Sequence, residues 1–363
     1  MGIPVNDIDY VVVGSSAEEM IALGYQPVGK DFPVFLHPQT HAEYALARTE
    51  RKTGVGYQGF HFYADPSITL EQDLQRRDLT INAMAQRVDD TGAPVGPIVD
   101  PYGGQNDIEA KVFRHVSHAF AEDPLRLLRI ARFAARFPTF TIASETQEAL
   151  QAIVKSGELS ALSPERVWQE LDRGMGSVDP LRMVEVLLET GAADQFLPQQ
   201  LIAVCGNQQL KKQLATNLDL LAANQITDID LVCAVMLADL SEGEIRQWSE
   251  TIRMPHGTRD FAELFSALKK RVTQQGYSAV DVLSWFNRAD VWRKPERAEK
   301  LIALAGVLGL QIERISSALA AAQAVDSQAV IQSLSAAEQQ QGECIRAAIY
   351  AARLQAVESV TAT

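Results

Sequence analysis

Asp100-Pro101-Tyr102-Gly103-Gly104 is the sharpest turn signal in the chain, and the residues on its two sides follow different rules. Upstream, short β-branched or aromatic runs at residues 10–13, 33–36 and 43–47 are separated by Gly, Pro, Asp and Asn, which reads as mixed α/β. Downstream, from about residue 107, glycine and β-branched residues thin out. Ala, Leu, Glu, Gln and Arg then recur at helical spacing through residues 123–137, 144–154 and 164–171. Ser163-Pro164-Glu165-Arg166 reads as a helix start with proline at the first helical position. The fold class is therefore α+β: an N-terminal α/β head (a mixed sheet with helices) over residues 1–104, then an elongated all-α remainder. We divide that remainder into a neck, 105–195, and a body and tail, 196–363, with the glycine-rich turn as a candidate hinge.

Composition narrows the class further. The 363 residues are 47% hydrophobic, enough for two or three packed units rather than a disordered chain. The longest uncharged apolar stretch, residues 301–312, is short of the ~18 residues that a membrane span needs. With no basic segment and apolar run at the start, a cytoplasmic protein without a membrane partner is expected. Cys205, Cys233 and Cys344 are far apart and odd in number, as expected for reduced thiols. With 33 Lys and Arg against 46 Asp and Glu, the net charge of −13 excludes a generally basic nucleic-acid coat. A nucleic-acid contact would need a local patch, and Arg114, Arg126, Arg129, Arg132 and Arg136 face only Glu122 and Asp123 in that interval. Oligomeric state is not legible.

Three constellations carry possible chemistry. Asn6-Asp7-Ile8-Asp9-Tyr10-Val11-Val12-Val13 places two carboxylates at i and i+2 of an apolar strand, so both leave the same face. A divalent cation would relieve their repulsion, and in phosphoryl transfer such a pair holds the metals. Two solvated aspartates at a strand entry have the same pattern. Arg76-Arg77-Asp78-Leu79-Thr80-Ile81-Asn82-Ala83 sets adjacent guanidiniums before an apolar segment, either a surface charge cluster or a phosphate clamp in which Asp78 orients one guanidinium. In Glu122-Asp123-Pro124-Leu125-Arg126-Leu127-Leu128-Arg129, helical geometry gathers Asp123, Arg126 and Arg129 within a third of the circumference. Leu127, Ile130, Ala131 and Ala134 form the buried stripe. Asp123 as acceptor beside Arg126 as planar donor could read a base edge; an i,i+3 ion pair on a solvated face is the alternative.

In this order and spacing, the three motifs resemble the bacterial class II tRNA nucleotidyltransferases, the CCA-adding enzymes of the polymerase β-type superfamily. The resemblance spans roughly residues 2–200. It includes Asp31-Phe32-Pro33-Val34-Phe35-Leu36-His37-Pro38, the strand from Glu43 to Lys52, the turn at 100–104 and Glu165-Arg166-Val167-Trp168. It implies a nucleotidyltransferase head in which Asp7 and Asp9 are catalytic and bind Mg2+, with Glu43 a further carboxylate nearby. It also implies that Arg77 contacts the incoming nucleotide and that Asp123, Arg126 and Arg129 line its pocket, Asp123 and Arg126 serving as a protein template. The implied activity is addition of CMP and AMP from CTP and ATP to the tRNA 3′ end, with the body and tail binding tRNA. Residues 53–59 would be the flexible loop that helps switch from C to A addition.

Two departures stand out. The family's Gly-Gly-x-Val-Arg-Asp element precedes the carboxylate pair, yet Asp7 lies six residues from the start, so an N-terminally truncated head with impaired activity is expected. Some relatives carry a phosphohydrolase domain with a His-Asp pair. No such dipeptide occurs here, so neither phosphodiesterase activity nor a transition-metal site is expected. The alternatives to CCA addition are poly(A) polymerase and a catalytically inactive RNA-binding remnant.

Overall fold

The structure, a computed structural model, describes residues 8–28, 34–52, 60–274 and 278–361. Asp7, residues 31–33 and the 53–59 loop lie outside the described residues.

The head opens with β1 (Tyr10–Val12), α1 (Ala17–Ala22), β2 (Gln26–Val28), β3 (Val34–Leu36) and β4 (Glu43–Leu46). The strands form one sheet in the order β1-β4-β3-β2, with β1 parallel to β4 and the other pairs antiparallel. Ser16 starts α1 with a capping box closed by Glu19. Met20 of α1 packs with Phe35 and Leu46, against Val12 and Tyr44. Strand alternation puts Tyr10 and Tyr44, which stack with ring centroids 4.4 Å apart, on this covered side. Asp9 and Glu43 are the exposed residues immediately before them, at the same end of adjacent strands.

The chain continues through the hairpin β5 (Arg48–Lys52) and β6 (Phe60–Ala64), then α2 (Leu70–Gln75), whose capping box is made by Thr69 and Gln72. A 3-10 turn, Thr80–Asn82, and the hairpin β7 (Ala85–Val88) and β8 (Pro94–Val99) lead to α3 (Gly104–Ala110). The turn predicted as a hinge is a pinned helix entry. The Asp100 carboxylate accepts from the backbone N–H groups of Gly104 and Gln105 at 2.7 and 2.8 Å, and the Tyr102 hydroxyl donates to the Glu71 carbonyl at 3.0 Å. Gly103 adopts φ +77°, and Gly104 lies so close to the Thr80 carbonyl that a Cβ could not be accommodated.

Beyond residue 107 helices dominate, with one exception to the all-helical expectation. β9 (Val112–Phe113) pairs in parallel with β10 (Thr141–Ile142). Phe113 there stacks on Phe140, centroids 5.0 Å apart, and this apolar contact holds two short segments in register that show no helical or strand periodicity in sequence. Between them runs α4 (Leu125–Arg136), followed by α5 (Ser144–Ser156), α6 (Pro164–Met175) and α7 (Pro180–Thr190). Leu127, Ile130, Ala131 and Ala134 are buried as expected, and α4 packs against both α6 and α7.

The chain forms two compact units, Met1–Gln195 and Phe196–Thr363, dividing within α8 (Ala193–Phe196). The second unit consists of α9 (Gln199–Gly206), α10 (Gln208–Ala223), α11 (Ile229–Met236), α12 (Glu242–Thr251), α13 (His256–Thr273), α14 (Ala279–Arg288), α15 (Pro295–Val307), α16 (Glu313–Gln323), α17 (Ser327–Gln332) and α18 (Gly342–Thr361). Its core holds Phe265, Trp285 and Phe286. Buried Glu263 pairs with Arg246 and Arg288 at 3.1 and 2.6 Å. The three cysteines are free thiols, Cys205 and Cys233 buried. Among the described residues no helix is long and apolar enough to cross a membrane.

Candidate active site

Within the first unit, a cavity of about 600 Å³ is lined by Asp9, Arg77, Asp123, Arg126 and Arg129, five residues singled out from the sequence. Arg76, Asp78 and Asn82 of the arginine-pair motif line it as well, and the structure adds Arg48, Glu50, Phe62, Leu125, Phe133 and Arg166. Asp7 lies outside the described residues, and Glu43 is exposed at the start of β4 without lining the cavity.

The cavity wall is built from charge pairs, some local to one element and some between elements distant in sequence. Arg76, just after α2, donates from Nε and Nη2 to Oδ1 of Asp73 at 3.1 and 2.8 Å, and from Nη1 to Glu50 on β5 at 2.5 Å. Arg77 has only one long contact, Nη2 to Asp73 Oδ2 at 3.4 Å, and its buried Nε has no hydrogen-bond partner among the described residues. A guanidinium held from one side with donors to spare suits an oxyanion of a bound ligand. Asp78 does not orient either member of the arginine pair, contrary to the sequence reading. Its carboxylate is 6% exposed and accepts from Arg129 Nε at 2.7 Å, from the Asn82 amide at 3.0 Å and from the Leu79 N–H at 2.9 Å. The tertiary approach of α4 decides this, because it brings Arg129 to the carboxylate across 51 residues.

Asp123 also departs from expectation, since it precedes α4 in extended conformation rather than sharing the helix face. Pro124 occupies the cap position, and the Asp123 carboxylate accepts from the Leu125 N–H at 3.0 Å. Arg126 is 8% exposed and is not in an i,i+3 ion pair. Its Nη1 and Nη2 donate to the carbonyls of Ala119 and Arg76 at 3.2 and 2.6 Å.

Burial pushes Arg126 below the usual arginine value, with Asp123 and Asp78 opposing. Burial and neighbouring Arg76 push Arg48 down to about 10, partly offset by Glu50. Burial would also lower Arg129, but Asp78 outweighs it and raises the value. Burial disfavours the Asp78 anion, yet Arg129, Asn82 and the Leu79 N–H together hold its carboxyl below the ordinary value. A site with six arginines lining its wall is suited to a polyphosphate. Arg48 and Glu50 had a weak sequence signal, charges at i and i+2 on one strand face. Phe62 and Phe133 had none beyond ordinary core periodicity.

Family models match the chain on either side of α4. Residues 1–114 match the model of the Poly A polymerase head domain, and residues 139–202 match the probable RNA and SrmB-binding site of polymerase A. The multifunctional CCA protein of Burkholderia pseudomallei (strain 668) is 46% identical over 397 residues, covering 98% of this chain and 95% of that protein. The chain belongs to the CCA-adding nucleotidyltransferase family. The CCA protein of Janthinobacterium sp. (strain Marseille), 44% identical over 395 residues, covers 98% of this chain and 94% of its own length. Among solved CCA-adding enzymes, that of Bacillus stearothermophilus in complex with CTP superposes with a TM-score of 0.65 at 22% identity, covering 99% of this chain and 85% of that one. The Thermotoga maritima enzyme complexed with tRNA-CCA gives 0.60 at 19% identity, covering 99% and 87%. At these identities the structural likeness bears on the fold alone, which both CCA-adding enzymes share with this chain.

Proposed function

We propose that this chain adds CMP and AMP from CTP and ATP to the 3′ end of tRNA without a nucleic-acid template, in the bacterial cytoplasm, with Mg2+ as the divalent cation. The observation that carries this reading is the convergence of Asp9, Arg77, Asp123, Arg126 and Arg129 on one cavity in a CCA-family chain. The exposed Asp9 carboxylate at the strand edge is a hard oxygen donor, and Mg2+ is commonly held by one or two carboxylates plus substrate phosphates. Asp7 is its partner by resemblance, and Glu43 lies at the same sheet edge. When bound, such a cation would neutralise the charge that develops as the tRNA terminal hydroxyl attacks the α-phosphate and pyrophosphate leaves.

The protein's own residues supply position and selection. Arg77 takes a phosphate oxygen through donors left free by Asp73, while the Asp78 anion fixes Arg129 beside the base. Asp123 offers an acceptor and Arg126 its remaining N–H donors, a complementary edge for cytosine and adenine. The body and tail, 196–363, would carry the tRNA. The deciding experiment incubates the chain with tRNA lacking its CCA end and with each nucleotide separately or together. Two CMP and one AMP are expected. Long A-tracts from ATP alone would establish poly(A) synthesis instead, and absence of both transfer and nucleotide binding would establish an inactive remnant.

A further inference from the structure

The buried carboxylate of Asp73 touches no ligand in the chemistry above, yet it is 1% exposed and both of its oxygens accept hydrogen bonds. Its Oδ1 accepts from the backbone N–H of Arg48, at the start of β5, at 3.2 Å, and from Arg76 Nε and Nη2. Its Oδ2 accepts from Arg77. All three guanidinium nitrogens of Arg76 are engaged as a result, because Glu50 on β5 takes Nη1. Arg76 therefore acts as a strut between α2 and β5. Its backbone carbonyl, held in place by that strut, accepts from Arg126 Nη2 at 2.6 Å, the shorter of the two contacts that orient Arg126.

We propose that Asp73 is a positioning residue for nucleotide choice: by anchoring Arg76 between α2 and β5, it sets the carbonyl that orients Arg126, and with it the donor edge presented to the base. The inference rests on the assignment of Arg126 to nucleotide selection. A charged carboxylate is needed at this place because two guanidiniums converge on it away from water. An amide there accepts through one oxygen and turns N–H donors toward an arginine. Replacing Asp73 by Asn thus releases Arg76 and lets the Arg76 carbonyl and Arg126 drift together, while the shape of the side chain is kept.

The test measures CTP and ATP affinities of the full chain by titration calorimetry, with melting temperature beside them. Asp73→Asn is expected to weaken CTP and ATP binding unequally, changing their ratio about tenfold, and Glu50→Gln, which loosens the other end of the strut, is expected to change it in the same direction. Asp107→Asn is the control for plain structural loss. Asp107 is a buried carboxylate of the same unit that binds Thr80 and Arg114 without lining the cavity, and its loss should lower the melting temperature and weaken CTP and ATP alike, with their ratio unchanged. If Asp73→Asn does not fold, Glu50→Gln, more exposed than Asp73, decides alone. An unchanged CTP/ATP ratio in the folded variants, whatever their melting temperature, overturns the proposal. The calorimetric ratio does not depend on tRNA transfer. Failure of the wild-type chain to extend tRNA therefore counts against the functional reading, while the ratio still judges Asp73.

Discussion

Arg126 and Arg129 stand one turn apart on α4, yet different partners hold them. Arg126 is held by two backbone carbonyls and Arg129 by the Asp78 carboxylate, with Nη2 at 2.6 Å. A carbonyl clamp leaves Arg126 its full charge to offer, whereas the carboxylate largely neutralises Arg129 and turns it into a fixed wall. Asp78→Asn should cost about 3 kcal/mol, the low end for breaking a buried pair because Arg129 is 32% exposed, measurable by urea unfolding at neutral pH. The pH dependence has a definite sign. The folded value of Asp78 lies below 3.8, so its stabilisation is fully present above pH 3.8 and is lost as pH falls through the lower folded value. In the Asn variant that acid limb should flatten, and an unchanged slope below pH 3.8 would contradict the pair. Asp9 also lines the cavity, and if it holds the cation as proposed, Asp9→Ala should reduce nucleotide transfer by about a thousandfold or more, while tRNA affinity by filter binding stays near wild type.

At the scale of elements, the cavity exists because α2, the 3-10 turn at Thr80–Asn82, α3 and α4 are locked together by short polar contacts. Thr80 donates to Asp107 at 2.7 Å, Arg114 bonds the same carboxylate, and Arg132 of α4 pairs with Glu170 of α6 at 2.6 Å. Gly104 is the tightest point of this lock. Gly104→Ala should drive α3 away from Thr80 and cost about 1–3 kcal/mol as an overpacked contact. Because Asn82, which bonds Asp78, belongs to the same turn, CTP affinity should fall together with stability. A variant that is destabilised yet binds CTP normally would show the turn to be decoupled from the site. The turn at 100–104 was legible in sequence as a break. Its packing was not, since nothing local to Gly104 reveals the Thr80 carbonyl 24 positions earlier.

At the scale of the whole molecule, two compact units with separate cores imply unfolding that is not a single transition. Trp168 lies in the first unit, and Trp248, Trp285 and Trp292 lie in the second, so tryptophan fluorescence reports mainly on the second unit while helical circular dichroism reports on both. Glu263→Gln leaves Arg246 and Arg288 without their shared buried anion and should lower the fluorescence midpoint by the equivalent of about 3 kcal/mol, with CTP affinity unchanged. A parallel loss of CTP affinity would contradict independence. The net charge of −13 is also a property of this scale, and it leaves the arginine-lined cavity as a local exception in an acidic molecule.

The sequence by itself determined the α+β class, the buried stripe of α4, the order of the motifs and the candidates that line the cavity. Those features rest on local periodicity, turn chemistry and residue type, which act within a few positions. Asp73 reaches Arg76 and Arg77 at helical spacing, which is a local matter. Only the tertiary structure decided the pairs that cross the cavity: Asp78 took Arg129 and Glu50 took Arg76 because a charge removed from water is settled by whichever opposite charge the packing brings within hydrogen-bond reach.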